Sequence, residues 1–172
     1  LELAEPNQNG KESWSLPDVI LYPTGGGTGI LGMWKAFDEL EALGVIDERR
    51  PKIIAVQSEA TAPVVNAYNK GLKDSEALPA GETIATGLNV PGGVGHAKVL
   101  EIIRNSDGGA IAISESRIRD EIRAIYQNKG IWICPEGAAT LAALEPAVQM
   151  SLIKPGETVV VFNTCSFEKY LP

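Results

Sequence analysis

Four short runs of apolar, mostly β-branched residues constrain the fold of this chain most, because each predicts a buried strand. The runs are VILYP from Val19, IIAVQ from Ile53, AIAIS from Ala110 and VVVFN from Val159. Their apolar residues are continuous rather than alternating, which favours a parallel sheet covered on both faces. A weaker fifth candidate is IWIC from Ile131.

Segments with helical spacing separate these runs. Apolar side chains recur on one face over residues 28–43, and Ile118, Ile122 and Ile125 form a second apolar stripe. The alternation of strands and helices predicts an α/β fold, with a doubly wound, mostly parallel sheet and helices on both faces. Residues 1–16 and 71–95 are rich in Pro, Gly and Asn, which predicts loops.

The length of the chain allows one α/β domain, and 172 residues contain no internal repeat. A sheet of only four or five strands is small for this class. We therefore expect neighbouring strands to come from sequence outside residues 1–172.

Composition and charge exclude several partners. The net charge of −7 repels phosphate backbones, so no nucleic-acid partner is expected. No apolar run approaches the ~18 residues of a membrane span, so no membrane association is expected either. Cys134 and Cys165 suit a reduced, cytoplasmic compartment. These two cysteines and the single histidine, His96, are widely spaced, so no metal site is expected.

The segment YPTGGGTGILG, from Tyr22, predicts an anion-binding loop. Four of the five residues from Gly25 to Gly29 are glycine, and the loop lies between a predicted strand and a predicted helix. Such a loop presents backbone N–H groups, and the positive end of the helix dipole, to an anion. Thr24 and Thr28 add hydroxyl donors. A tight turn with glycines for packing alone is the structural alternative.

Two common phosphate motifs match this loop poorly. A nucleoside triphosphate loop ends in Gly-Lys-Ser/Thr, whereas this one ends in Thr28-Gly29-Ile30. The residues Gly27 to Gly32 satisfy the dinucleotide pattern G-x-G-x-x-G. The acidic residue of that pattern is expected ~20 positions further on, at the tip of the next strand. Here that strand ends in Gln57-Ser58, and Glu59 is 32 positions past Gly27, so the spacing is poor.

Two further segments carry polar groups at predicted element ends. CPEGAATLAAL, from Cys134, has Pro135 and Glu136 where a helix begins, which is equally consistent with a well-formed helix start and with a site. Polar residues follow the last strand, where ligands of open α/β sheets bind. They are Asn163, Thr164 and Ser166.

Taken together, PTGGGTGILGMWKAF, GLNVP, CPEGAATLAAL and VVVFNTCSFEKY resemble the C-terminal half of threonine synthase. That enzyme uses pyridoxal phosphate and has the tryptophan-synthase-β fold type. The resemblance covers nearly the whole chain, and it implies that residues 1–172 are the C-terminal part of the large, cofactor-binding domain of a two-domain enzyme. It also implies a cytoplasmic homodimer with a small amino-acid substrate.

The resemblance assigns cofactor-binding residues. It implies that Gly25, Gly26, Gly27, Thr28 and Gly29 hold the cofactor phosphate. It places Thr164 at the pyridine nitrogen, with Ser166 as the substitute candidate. A neutral hydroxyl there leaves the ring nitrogen largely unprotonated, which suits elimination and replacement at the β or γ carbon.

The chain departs from the family pattern in two ways. Cys165 and Phe167 stand where the family has glycines, and we expect their side chains to crowd the cofactor ring or to change the local backbone. The Schiff-base lysine of the family lies in an N-terminal half that this chain lacks, so no catalytic residue is expected here. The lysines present are interpreted as surface charges, among them Lys35, Lys52, Lys98, Lys129 and Lys169.

The full reaction that the resemblance implies is a lyase reaction of threonine biosynthesis, from O-phosphohomoserine and water to threonine and phosphate. A serine/threonine dehydratase and a cysteine-synthase-like enzyme share the loop and the sheet, and they remain alternatives. A non-catalytic nucleotide-binding module and a degenerate pseudo-enzyme are two others. We expect the 172-residue segment alone to be inactive.

Overall fold

Four parallel strands form one sheet in the computed structural model of the chain, which describes residues 1–6 and 12–170. In chain order the strands are β1 Val19–Pro23, β2 Lys52–Ser58, β3 Gly109–Ile113 and β4 Val159–Val161. Their spatial order is β3-β2-β1-β4. All four predicted strands are confirmed within one or two residues at their ends.

Six α-helices connect or follow these strands. They are α1 Thr28–Ala42, α2 Pro63–Asn69, α3 His96–Asn105, α4 Glu115–Lys129, α5 Pro135–Ala142 and α6 Leu144–Gln149. Local sequence explains several ends: the Ser114 hydroxyl caps α4, Gly130 ends it in the left-handed conformation at φ 67°, and Pro135 occupies the first turn of α5. Among the described residues, 3₁₀ turns span Thr86–Leu88 and Phe167–Tyr170.

Helices cover both faces of the sheet, as predicted. Successive strand residues point to opposite faces, so Ile20 and Ile53 face α1, α2 and α3, while Leu21 and Ile54 face α4, α5 and α6. All four side chains are at most 1% exposed. The two apolar layers explain why the strand runs are continuous rather than alternating.

The strand order reverses at β1. The chain runs from β1 to β2 and β3 on one side, and β4 then returns to the other side of β1. The loops that leave the carboxyl ends of β1 and β4 therefore diverge and leave a crevice between them. In open α/β sheets this is the place where ligands bind.

Two predictions about strands are wrong. The run from Val159 was expected to be fully buried, but β4 is half-buried because it lies at the edge of the sheet with β1 as its neighbour. The run from Ile131 forms no strand, and only Ile133 makes an isolated bridge, to Ser166. Ile131 and Trp132 lie at the surface instead, where the ring of Trp132 stacks between Tyr126 and Phe167.

The loop predictions are confirmed in part. The stretch 71–95 is irregular apart from the 3₁₀ turn already described. Of the predicted loop 1–16, positions 7–11 lie outside the described residues. No helix within the described ranges is long and apolar enough to cross a membrane.

Candidate active site

A cavity of about 350 Å³ lies in the crevice between β1 and β4, and we refer to it as the switch-point cavity. Four parts of the chain form its walls. These are the end of β1 with the glycine loop, the 3₁₀ turn at Thr86–Leu88, the start of α5 at Glu136, and the segment after β4 with Thr164, Cys165, Lys169 and Tyr170. The fold thus brings together the glycine loop and the polar end of the last strand, which are far apart in sequence.

The glycine loop opens α1 without a side-chain cap. Gly27 is the N-cap residue, with φ 86°, and no side chain accepts a hydrogen bond from the first turn of the helix. The first turn also contains no acidic residue. The first N–H groups of an α-helix have no partner inside the helix, so this end offers backbone donors and the positive end of the dipole to an anion.

Packing against the protein itself explains three glycines of the loop. A Cβ atom at Gly25 would lie 2.5 Å from the carbonyl oxygen of Gly87, and one at Gly29 would collide with the Tyr22 hydroxyl. At Gly27 the positive φ adds backbone strain for any other residue. Gly26 differs, because a Cβ atom there would meet nothing within 4 Å. Gly26 is therefore the glycine whose missing side chain leaves space in the cavity itself.

His96 fixes the position of the loop. Its ring is fully buried, and Nε2 lies 2.9 Å from the carbonyl oxygen of Gly25. The Gly93 N–H donates to Nδ1 at 3.3 Å, and the Ser75 hydroxyl lies 2.7 Å from the same nitrogen. These partners suit a neutral ring that carries its proton on Nε2 and donates to Gly25. The single histidine of the chain thus orients the glycine loop rather than reacting.

The segment after β4 places only some of its predicted residues at the cavity. Thr164 lines it, whereas Ser166 does not: the backbone of Ser166 pairs with Ile133, and its hydroxyl accepts the N–H of Glu168 at 3.3 Å. Phe167 was expected to crowd the cofactor ring or to change the local backbone. Its side chain stacks on Trp132, with ring centroids 4.8 Å apart, so the first alternative is wrong. Cys165 does line the cavity.

A buried carboxylate forms the opposite wall. Glu136 is only 4% exposed, and its Oε1 accepts hydrogen bonds from the N–H of Gly87, at 2.8 Å, and from the Tyr170 hydroxyl. Burial and the hydrogen bond to Glu136 raise the pKa of Tyr170 above its usual value. The Tyr170 hydroxyl therefore stays protonated and remains a donor to the carboxylate.

Cys165 is a weak acid in this environment. Its Sγ lies 3.7 Å from Oε2 of Glu136. Burial, followed by the contacts with Cys134 and Glu136, raises the pKa of Cys165 to about 11. The thiol is therefore protonated near neutral pH when no cation is bound.

Lys169 is the cavity residue that the sequence interpretation missed most clearly. It had been interpreted as a surface charge, and its side chain is indeed exposed, but it lines the cavity. Among the lysines of the described residues it is the only one that does so. Lys35, Lys52 and Lys98 instead pair with Glu39, Glu157 and Glu101.

The sequence indicated the roles of Glu136 and Gly87 at the cavity only in part. The sequence showed Glu136 at a helix start, where a carboxylate stabilises the dipole, but nothing indicated that its side chain would be buried. Gly87 lies in an irregular loop, and its N–H reaches Glu136 across 49 positions of sequence. A contact of that range has no local signal in the sequence.

Comparison with known proteins identifies the family. Residues 2–164 match the profile of the family described as pyridoxal-phosphate dependent enzyme. The chain belongs to this family. Enzymes of this family depend on pyridoxal phosphate, so the expected cofactor is confirmed at the family level.

Among curated relatives, the threonine synthase of Methanocaldococcus jannaschii is 32% identical over 152 residues. The alignment covers 88% of this chain and 37% of that protein, so the chain spans little more than a third of its relative.

Solved structures of the family share the fold. An L-serine ammonia-lyase from Rhizomucor miehei superposes with a TM-score of 0.69 at 20% identity, over 90% of this chain and 49% of that one. Threonine synthase from Escherichia coli superposes with a TM-score of 0.64 at 18% identity, over 90% of this chain and 34% of that one. At these identities the likeness establishes the α/β fold of the family and not a reaction.

The switch-point cavity fits a pyridoxal phosphate group. The phosphate of this group needs several N–H donors and no competing carboxylate. The start of α1 meets both requirements, because its first N–H groups are uncapped and its first turn contains no acidic residue. Open space at Gly26 allows close approach to the backbone. Glu136 lines the same cavity, and its Oε1 already accepts hydrogen bonds from the Gly87 N–H and the Tyr170 hydroxyl.

Proposed function

We propose that this chain is part of a threonine synthase, which converts O-phosphohomoserine and water to threonine and phosphate. The observation that carries the proposal is the switch-point cavity, where the glycine loop and Thr164 meet in a chain 32% identical to a threonine synthase. When bound, pyridoxal phosphate supplies an electron sink for reactions at the carbons of an amino acid.

In this proposal, residues 25–29 bind the cofactor phosphate through backbone N–H groups, and the Thr28 hydroxyl adds a donor. His96 supports the loop from behind through its bond to Gly25. Thr164 faces the pyridine nitrogen with a neutral hydroxyl, and its place on the cavity wall favours it over Ser166.

We further propose that residues 1–172 form the C-terminal part of the large domain, and that the lysine that binds the cofactor lies outside them. The coverage of 37% of the archaeal threonine synthase supports this division. The complete protein would then be a cytoplasmic homodimer acting on a small amino-acid substrate. The half-buried β4 supports an extension of the sheet at that edge.

The test uses the complete gene product purified without added cofactor. We expect a visible absorption band of bound pyridoxal phosphate that disappears on borohydride reduction. Peptide mapping should then locate the modified lysine outside residues 1–172. Incubation with O-phosphohomoserine should release phosphate and form threonine in equal amounts.

Each alternative has its own outcome in this test. Release of ammonia from threonine or serine, without release of phosphate from O-phosphohomoserine, would assign the protein to the dehydratases. Cysteine formation from O-acetylserine and sulfide would favour the cysteine-synthase-like alternative. A colourless protein that does not take up pyridoxal phosphate would contradict the proposal, and nucleotides would then be the next ligands to test.

A further inference from the structure

The fold brings together three side chains that could ligate a soft metal ion. They are the thiols of Cys134 and Cys165 and the carboxylate of Glu136. The two cysteines are 31 positions apart in sequence (165 minus 134), which had argued against a metal site. Cys134 begins α5 and Cys165 follows β4, and the isolated bridge between their neighbours Ile133 and Ser166 brings the two segments together.

The geometry allows one ion to reach all three. One ligand atom from each residue lies within 4.8 Å of the other two, so some point lies within about 2.8 Å of all three atoms (4.8 Å divided by √3). Zinc lies about 2.3 Å from a thiolate sulfur and about 2.1 Å from a carboxylate oxygen. The ligand atoms would have to move roughly half an ångström toward the ion to reach these distances, which side-chain shifts achieve without rearrangement of the strands or helices.

The carboxylate is already oriented for this role. Its Oε1 accepts hydrogen bonds from Gly87 N–H and from the Tyr170 hydroxyl, and its Oε2 faces the Cys165 sulfur at 3.7 Å. Metal sites in proteins commonly hold their ligands through such outer hydrogen bonds. The side chain is 4% exposed, so little solvent competes with the Cys165 sulfur for Oε2.

The Cys134 sulfur is held in a similar way. It caps α5, and it accepts the N–H of Gly137 at 3.3 Å. A backbone donor and the positive end of a helix both stabilise a thiolate. The Cys134 thiol in turn donates to Oδ1 of Asn163 at 3.0 Å, which fixes the sulfur toward the segment that contains Cys165.

We propose that Cys134, Glu136 and Cys165 bind a thiophilic divalent cation of the Zn²⁺ type. On binding, two S–H bonds break, two metal–thiolate bonds and one metal–carboxylate bond form, and two protons pass to solvent. Because Glu136 and Cys165 line the switch-point cavity, the fourth position of a tetrahedral centre is open to water or to a ligand in that cavity.

The test is a titration of the complete gene product with Co²⁺ under anaerobic conditions, after thiol reduction and removal of the reductant and of any cofactor. Cobalt replaces zinc and reports its ligands by absorption. We expect thiolate-to-cobalt charge-transfer absorption in the near ultraviolet and visible bands of a tetrahedral centre, both lost when Zn²⁺ is added.

Three variants identify the ligands. Cys165→Ser and Cys134→Ser should each remove part of the charge-transfer absorption, and Glu136→Gln should weaken Co²⁺ binding by roughly tenfold or more, the range found when supporting metal contacts are lost. Glu59→Gln, a change at an exposed carboxylate, is the matched control and should bind as the parent does. Circular dichroism confirms that each variant is folded.

Two results would overturn the proposal. One is the absence of charge-transfer absorption in parent protein whose thiols are shown to be reduced. The other is absorption that Cys165→Ser leaves unchanged, since the thiolates would then belong to another part of the protein. Neither result depends on pyridoxal phosphate, so the proposed function stands or falls separately.

Discussion

Gly26 is the glycine of the loop that the fold does not require but that the proposed cofactor site does. Its neighbours Gly25, Gly27 and Gly29 are required by contacts within the protein, whereas a side chain at Gly26 would enter open space in the cavity. We expect Gly26→Ala to change the free energy of unfolding by less than about 0.5 kcal/mol. We expect it to weaken pyridoxal phosphate binding by about tenfold, or about 1.4 kcal/mol, because the methyl group obstructs the phosphate.

The measurement is a fluorescence or absorbance titration of cofactor-free protein, together with thermal unfolding. Gly32→Ala is the matched control, since Gly32 lies in α1 away from the cavity and its added Cβ also meets nothing within 4 Å. It should raise stability by about 0.5–1 kcal/mol through helix propensity and leave binding unchanged. Parental affinity in Gly26→Ala would show that the phosphate is bound elsewhere.

The sequence predicted the strand, the glycine loop and the helix at residue level because their signal is local: the three segments follow one another directly. Phosphate binding by this loop stays a prediction. The sequence did not predict that Gly87, Tyr22 and Val99 make three of those glycines necessary, since each of these contacts is long-range or depends on packing. The burial of Glu136 and the position of Lys169 at the cavity were missed for the same reason. Their positions in the site can be recognised only from the folded structure, in which α5 and β4 lie beside β1.

At the level of elements, Glu115 joins the start of α4 to two other parts of the fold. Its carboxylate accepts hydrogen bonds from the Ser58 hydroxyl at the end of β2, at 2.9 Å, and from the Ile84 N–H, at 3.0 Å. Burial alone would raise the pKa of Glu115, but the hydrogen bonds from Thr83, Ile84 and Ser58 outweigh it, and the pKa is lowered from its ordinary value of 4.5.

The lowered pKa fixes the sign of a pH effect. The folded protein holds the Glu115 proton less tightly than the unfolded chain, so the stabilisation is fully present above pH 4.5 and is lost as the pH falls through the lower, folded-state pKa. We expect Glu115→Gln to cost about 1 kcal/mol near neutral pH, the usual scale of such hydrogen bonds at a partly exposed site. Below the folded-state pKa the difference from the parent should shrink.

Urea unfolding of the complete gene product at several pH values measures this difference. Glu121→Gln, a change at another half-buried carboxylate of α4, serves as the control and should leave the pH dependence unchanged. A Glu115→Gln variant whose deficit stays constant from neutral pH to the acid limit would contradict the argument, because the deficit would then not arise from ionisation.

The strands were the elements that the sequence predicted best. A continuous β-branched run can be satisfied by burial on both faces, and the two apolar layers of the fold do this for β1, β2 and β3. The same pattern overstated the burial of β4, because composition does not reveal whether a strand has one neighbour or two. In IWIC, Trp132 stacks at the surface between Tyr126 and Phe167. The periodicity of the sequence does not indicate such a contact, so the strand prediction failed there.

At the level of the whole molecule, the switch-point cavity combines the proposed phosphate loop with only one lysine among the described residues, Lys169. Lys169 belongs to a 3₁₀ turn after the edge strand, and its side chain is exposed. A lysine that binds pyridoxal phosphate through its nitrogen must give up a proton, which burial favours and exposure does not. We therefore expect residues 1–172, expressed alone, to release no phosphate from O-phosphohomoserine above the rate without protein.

The complete gene product, assayed in parallel under the same conditions, provides the positive control for this comparison. Turnover by residues 1–172 that is lost in Lys169→Ala and kept in Lys129→Ala, a change at the exposed end of α4, would contradict the expectation and make Lys169 the cofactor-binding lysine. Inactivity of the segment beside an active complete protein would place the missing group outside it. The chain would then hold and orient a cofactor whose reactive partner the rest of the protein supplies.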